Sequence, residues 1–113
     1  MNITLTITPQ QIADLMITAI EGGIGYWAAE VEIRGPEGRR PYGEASSYAD
    51  DQWVFHAVDC EGDEEAWAVP ANLFAQRWAA NPQHLDELLN ENLDADSADV
   101  LVQLGLFGEI VYG

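Results

Sequence analysis

Ile3, Leu5 and Ile7 alternate with Thr4 and Thr6, a period-two pattern that predicts a half-buried strand rich in β-branched residues. Thr8-Pro9-Gln10-Gln11 then predicts a helix start, with Thr8 as N-cap, Pro9 at the first helical position and Gln11 closing a capping box. Ile12, Leu15, Met16, Ala19 and Ile20 fall on one stripe of that helix, and Gly22 or Gly23 is expected to end it in the left-handed conformation. Val31 and Ile33 alternate with charged residues and predict a strand with one wet face, carrying Glu30 and Glu32. Gly35-Pro36-Glu37-Gly38 reads as a turn, and the polar stretch from Arg39 to Asp51 as a long loop or a weak strand.

Strand character returns over 52–60. Trp53, Phe55 and Ala57 share one face and Val54, His56 and Val58 the other, which predicts a central strand covered on both sides. Glu61-Gly62-Asp63-Glu64 predicts a hairpin turn into Ala66-Trp67-Ala68-Val69, and Pro70 ends that strand or opens a helix. The remainder reads as helical. Ala71, Phe74, Ala75 and Trp78 share a face, Asn81-Pro82 is a second cap pair leading to Leu85, Leu88 and Leu89, and Asp94 or Asp96 caps a last helix that Gly108 ends. Glu109 to Tyr112 could return to the sheet as an edge strand. The order predicts a single α+β domain over residues 1–113, a small mostly antiparallel sheet packed against three to four helices.

Charge narrows what such a domain can do. Twenty Asp and Glu stand against four Arg and no Lys, a net charge of −16. Direct binding to nucleic acid or to an anionic membrane is not expected of a chain so poor in cations. No apolar run approaches the roughly 20 residues of a membrane span. The opening residues lack the basic and apolar regions of a signal peptide, so a cytoplasmic location is expected. The lone Cys60 excludes an internal disulfide and a cysteine-cluster zinc site.

Two stretches carry a resemblance. Glu21-Gly22-Gly23-Ile24-Gly25-Tyr26-Trp27 resembles the Glu-Gly-Gly, two residues, Tyr-Trp element of small, largely uncharacterised proteins encoded in phages and prophages. The end, from Asp94 through Leu106-Phe107-Gly108-Glu109-Ile110-Val111-Tyr112-Gly113, is similar to the C-terminus of the same group. The middle of the chain, including the Trp53 strand, has no such likeness. The resemblance implies a mobile-element origin and leaves mechanism open.

The chemistry-bearing residues point away from catalysis. No nucleophile stands in a recognisable elbow, there is no phosphate-cradling Gly-rich loop, and His56 and His84 lack zinc-type spacing. His56, between Val54 and Val58, reads as a core or boundary histidine. The carboxylates at Asp59, Glu61, Asp63 and Glu65, and at Asp94, Asp96 and Asp99, do not keep calcium-loop spacing, so no metal or cofactor is expected. The glycines and aromatics of the Glu21–Trp27 element read mainly as structure, although Glu21 at a helix C-terminus is disfavoured by about 0.3–1 kcal/mol.

The acidic field is the informative feature. Residues 44–99 hold fourteen of the twenty carboxylates, against Arg77 alone. Glu87 and Glu91 are four apart on an expected helix, about 6 Å from one another, close to the spacing of phosphates along a strand. The expectation is a non-catalytic phage-type inhibitor, an anti-CRISPR or anti-restriction protein. It would occupy a positively charged nucleic-acid-binding surface of a host defence protein as a nucleic-acid mimic. The expected contact residues are Asp63, Glu64, Glu65, Asp86, Glu87, Glu91, Asp94 and Asp96, with Glu21, Tyr26 and Trp27 as the alternative surface. The other reading is an interaction or assembly module of a mobile element whose acidity serves solubility or salt adaptation. A homodimer remains open under either.

Overall fold

Thr8 starts the first helix, α1 (Pro9–Thr18), through the expected capping box. Its hydroxyl accepts from the Gln11 backbone at 3.1 Å, and the Gln11 side chain accepts from the Thr8 backbone at 2.8 Å. The computed structural model describes residues 7–61, 66–85 and 93–113, so of the expected opening strand only Ile7 is described, packed against the core. Ile12, Leu15, Met16 and Ala19 are buried along the predicted stripe. The end of the helix departs from expectation. Neither Gly22 nor Gly23 has a positive φ; the chain widens into a single π-helical turn, Ala19–Gly23, and Gly23 is needed for a different reason. A Cβ there would stand 2.7 Å from the carbonyl oxygen of Ala95. The glycine lets two backbones touch.

Among the described residues four strands form one antiparallel sheet: β1 (Ala28–Gly35), β2 (Gly38–Arg40), β3 (Val54–Asp59) and β4 (Ala66–Pro70), in the order β2-β1-β3-β4. The turn after Gly35 is the β1–β2 hairpin, so the polar stretch begins with a short strand and then forms a 3-10 turn, Ala45–Tyr48. A bulge interrupts β1 between Ala29 and Glu32, where Glu30 takes φ 52°. β3 and β4 pair as the expected hairpin, while Gly62 to Glu65 lie outside the described residues. β3 is central, but its two faces differ. Phe55 and Ala57 are buried, whereas Val54, His56 and Val58 stay partly open beside Glu32, Arg34 and Ala68. The expectation of a strand covered on both sides is therefore corrected to one covered face.

Pro70 ends β4 and immediately precedes α2 (Ala71–Ala80), whose inward face is Ala71, Phe74 and Trp78; Ala75 is exposed. Asn81 does not cap a new helix with its side chain, which instead donates to the Arg77 carbonyl at 2.9 Å. Leu85 is buried, and Leu88 and Leu89 lie outside the described residues. The last helix, α3 (Ala95–Phe107), is capped by Asp94, which accepts from the Ser97 backbone at 2.8 Å, and it ends at Gly108 with φ 78°. From Leu101 to Leu106 every residue is buried, because α3 runs through the interior, not along a surface. The Trp78 indole reaches the Leu101 carbonyl at 2.8 Å, and Phe74 lies directly against Gly105. Glu109 to Tyr112 do not form the edge strand suggested by their apolar run; the tail is irregular and fastened to α3.

These close approaches give a stability test. A methyl at Gly105 would enter the Phe74 ring, so Gly105→Ala should lower stability by about 1–3 kcal/mol. Gly25→Ala, with nothing within 4 Å of the added carbon, should leave the denaturation midpoint nearly unchanged.

Candidate functional site

The Glu21–Trp27 element and the C-terminal stretch from Asp94 to Gly113 are far apart in the chain and meet in space. Asp99, on the second turn of α3, accepts three side-chain hydrogen bonds. They come from the Tyr26 hydroxyl at 2.5 Å, the Trp27 indole at 2.8 Å and the Gln103 amide at 2.8 Å. Gln103 is fully buried and uses all four of its hydrogen-bonding positions. Its amide also donates to the Tyr112 carbonyl at 3.0 Å, and its oxygen accepts from the backbones of Val111 and Tyr112 at 2.7 and 2.8 Å. The Tyr112 ring then stacks on Trp27, 5.0 Å between centroids and 6° from parallel, with Trp67 and Phe107 around them. The Tyr112 hydroxyl closes the circuit on Asp59 at 3.0 Å.

A pattern runs through the acidic side chains. Asp99 and Asp59 are fixed by neutral donors, and so are others. Tyr42 donates to Glu21 at 2.9 Å, Asp94 is held by the backbone of Ser97, and Asp59 also by that of Glu61 at 2.8 Å. Glu21, unfavourable beside a helix C-terminus, thus has a specific donor. Among the described residues only Glu32, Glu37 and Asp50 have an arginine partner. All of these pairs sit at the β2 side of the sheet. Arg34 and Arg39 share Glu32; Arg40 holds Glu37 and Asp50 and donates to the Ser47 carbonyl. Arg77 donates to the carbonyls of Gly105 and Leu106, where a cation complements a helix C-terminus.

Each tyrosine hydroxyl is engaged, and each is harder to ionise than free tyrosine. Tyr26 is pushed up to about 12, first by its hydrogen bond to Asp99. Tyr42 is raised by its bond to Glu21, Tyr48 by burial, and Tyr112 by burial and then Asp59. Hydrogen bonding to Arg34, Arg40 and the Ser97 backbone holds Glu32, Asp50 and Asp94 respectively below the usual carboxylate range. Burial lowers His56, and Arg34 adds to it.

Of the expected contact residues, Asp94 and Asp96 are exposed at the start of α3, while Asp63, Glu64, Glu65, Asp86, Glu87 and Glu91 lie outside the described residues. In the alternative surface, Glu21 and Tyr26 reach solvent, but Trp27 is 1% exposed, so its role there is to pack and to donate to Asp99. The sequence reading did not anticipate Asp99 and Gln103 as a pair. Its one signal was a glutamine inside the apolar run Val100–Leu106, four residues after an aspartate. Among the described residues no three His, Cys, Asp or Glu side chains converge as a metal site requires, and no helix is long and apolar enough to cross a membrane. An open hollow of about 800 Å³ lies against β1, lined by Glu32, Arg34, Arg39, Tyr42 and His56 among others. Comparison with protein-family models, curated proteins and solved structures gave no match.

Two outcomes follow from this geometry. Asp99→Ala leaves the buried Trp27 indole and the Gln103 amide without their acceptor and should cost about 3 kcal/mol, read from denaturant unfolding. Asp99→Asn keeps one acceptor oxygen and should cost less. Alkaline pH should destabilise the fold over a defined window. Below pH 10 the phenols are protonated in both states; above it the unfolded chain loses its phenolic protons first, so stability falls from about pH 10 towards 12. Tyrosinate absorbance should show no tyrosine titrating in the free range while the protein is folded.

Proposed function

We propose that this chain is a non-catalytic acidic inhibitor that occupies a positively charged nucleic-acid-binding surface of a host defence protein, imitating the charge of nucleic acid. The observation that carries this reading is the way its carboxylates are held. A carboxylate fixed by an arginine is neutralised as it is positioned; one fixed by a phenol, an indole, an amide or a backbone N–H keeps its charge. Asp59, Asp94, Asp99 and Glu21 are of the second kind. A fixed anionic array loses less side-chain freedom on docking than a flexible one, and its field steers association with a basic groove. The net charge of −16 with no lysine supports the same reading.

The test is competition. The protein, immobilised at about 0.15 M salt, a Debye length near 8 Å, should capture from host lysate a protein that itself binds DNA or RNA. Added nucleic acid should displace that partner. Asp96→Lys with Glu61→Lys should weaken capture at least tenfold, and rising salt should weaken it for the parent chain. Asp94 calls for Asn instead of Lys, since its side chain caps α3 and losing that cap costs about 1 kcal/mol. A captured partner that binds nucleic acid and this chain simultaneously would contradict the proposal.

A further inference from the structure

Among the described residues the large apolar side chains that stand out to solvent are three: Tyr26 at 55%, Ile110 at 51% and Val111 at 54%. Tyr26 is far in sequence from the adjacent Ile110 and Val111, but the fold ties the two segments together. Tyr26 bonds to Asp99, Asp99 to Gln103, and Gln103 to the backbone of Val111. Independently, Trp27, next to Tyr26, stacks on Tyr112, next to Val111. Single exposed apolar residues need no explanation, but two segments that carry three of them and are tied together in the fold offer an interaction surface.

The surroundings of this patch define what it fits. Asp99 touches Tyr26, and Asp96 is near enough to help raise that phenol; Asp59 touches Tyr112, with Glu61 beside it, and Glu109 adjoins Ile110 in the chain. Arg77 lies against Gly108, beside the tail, and is bound to helix carbonyls. Arg34, Arg39 and Arg40 belong to the other end of β1, about 20 Å away at the rise of an extended strand. An apolar centre with a mainly acidic rim complements a basic segment that presents an apolar side chain between its cations. We propose that Tyr26, Ile110 and Val111 form an anchor for such a segment, an arginine- or lysine-rich stretch of a partner protein carrying an exposed aromatic or aliphatic residue.

This inference rests on the proposed inhibitor role in taking the partner to be basic, and adds that recognition has a component which salt does not screen. Its test uses two synthetic probe peptides of equal charge, an Arg-Gly repeat and the same repeat with Leu and Trp replacing some glycines. Titrated into isotope-labelled protein, the second peptide should bind about tenfold tighter, move the amide signals of Tyr26, Ile110 and Val111, and still bind at salt that abolishes binding of the first. Ile110→Ser with Val111→Ser should remove that advantage and leave the first peptide's affinity unchanged. Equal affinity for both peptides, no binding of either, or signal changes confined to another face would overturn the anchor. The competition of the parent chain with nucleic acid for its captured partner is a separate result, so failure here is distinguishable from failure of the inhibitor reading.

Discussion

The carboxylate of Asp99 is the point on which the assembly turns. It takes one hydrogen bond from each side chain of the Tyr26-Trp27 pair and one from Gln103, and Gln103 in turn holds the C-terminal tail by three more. The turn after α1, more than seventy residues distant in sequence, is thereby set against α3 and the tail that follows it. An apolar contact could hold these segments together but would not fix their register. A buried amide with four satisfied positions accepts one arrangement, since any slip leaves a donor or an acceptor without a partner. The glycine contact between Gly23 and the Ala95 carbonyl brings α3 close enough to the turn for the network to form.

The same arrangement answers a problem set by composition. A chain with twenty carboxylates and four arginines cannot balance its charge internally. Three arginines lie together at the β2 side of the sheet, where they form the described ion pairs, and the fourth complements the end of α3. Around α3 and the tail, phenols, an indole and amides take over the task of holding carboxylates. Position is separated from neutralisation. The proposed role depends on that separation, because a surface that imitates a phosphate backbone must be both fixed and charged.

Much of the fold was legible because its signals are local. The Thr8 capping box, the stripe from Ile12 to Ala19, the Gly35–Gly38 turn, the inward face of Trp53, Phe55 and Ala57, and the Gly108 stop each depend on neighbours within a few residues. What was not legible depends on distant partners. Gly23 looks like a helix stop in sequence; its reason for being glycine is a carbonyl more than seventy residues away. The tail reads as an edge strand from its apolar run, yet Gln103 claims its backbone before a sheet can. The acidic field was visible from counting, while the donors that fix it were not, since Tyr26, Tyr42 and Tyr112 meet their carboxylates across 73, 21 and 53 positions.

The claim at the centre of this account is that neutral donors, not ion pairs, lock Asp99 in place. Hydrogen exchange of the Trp27 indole N–H measures this most directly. The account predicts strong protection, close to that of the most protected core amides, and the same protection in low and in molar salt, because no screened charge pair holds the contact. Exchange at the rate of an exposed indole, or protection that disappears as salt is added, would contradict it.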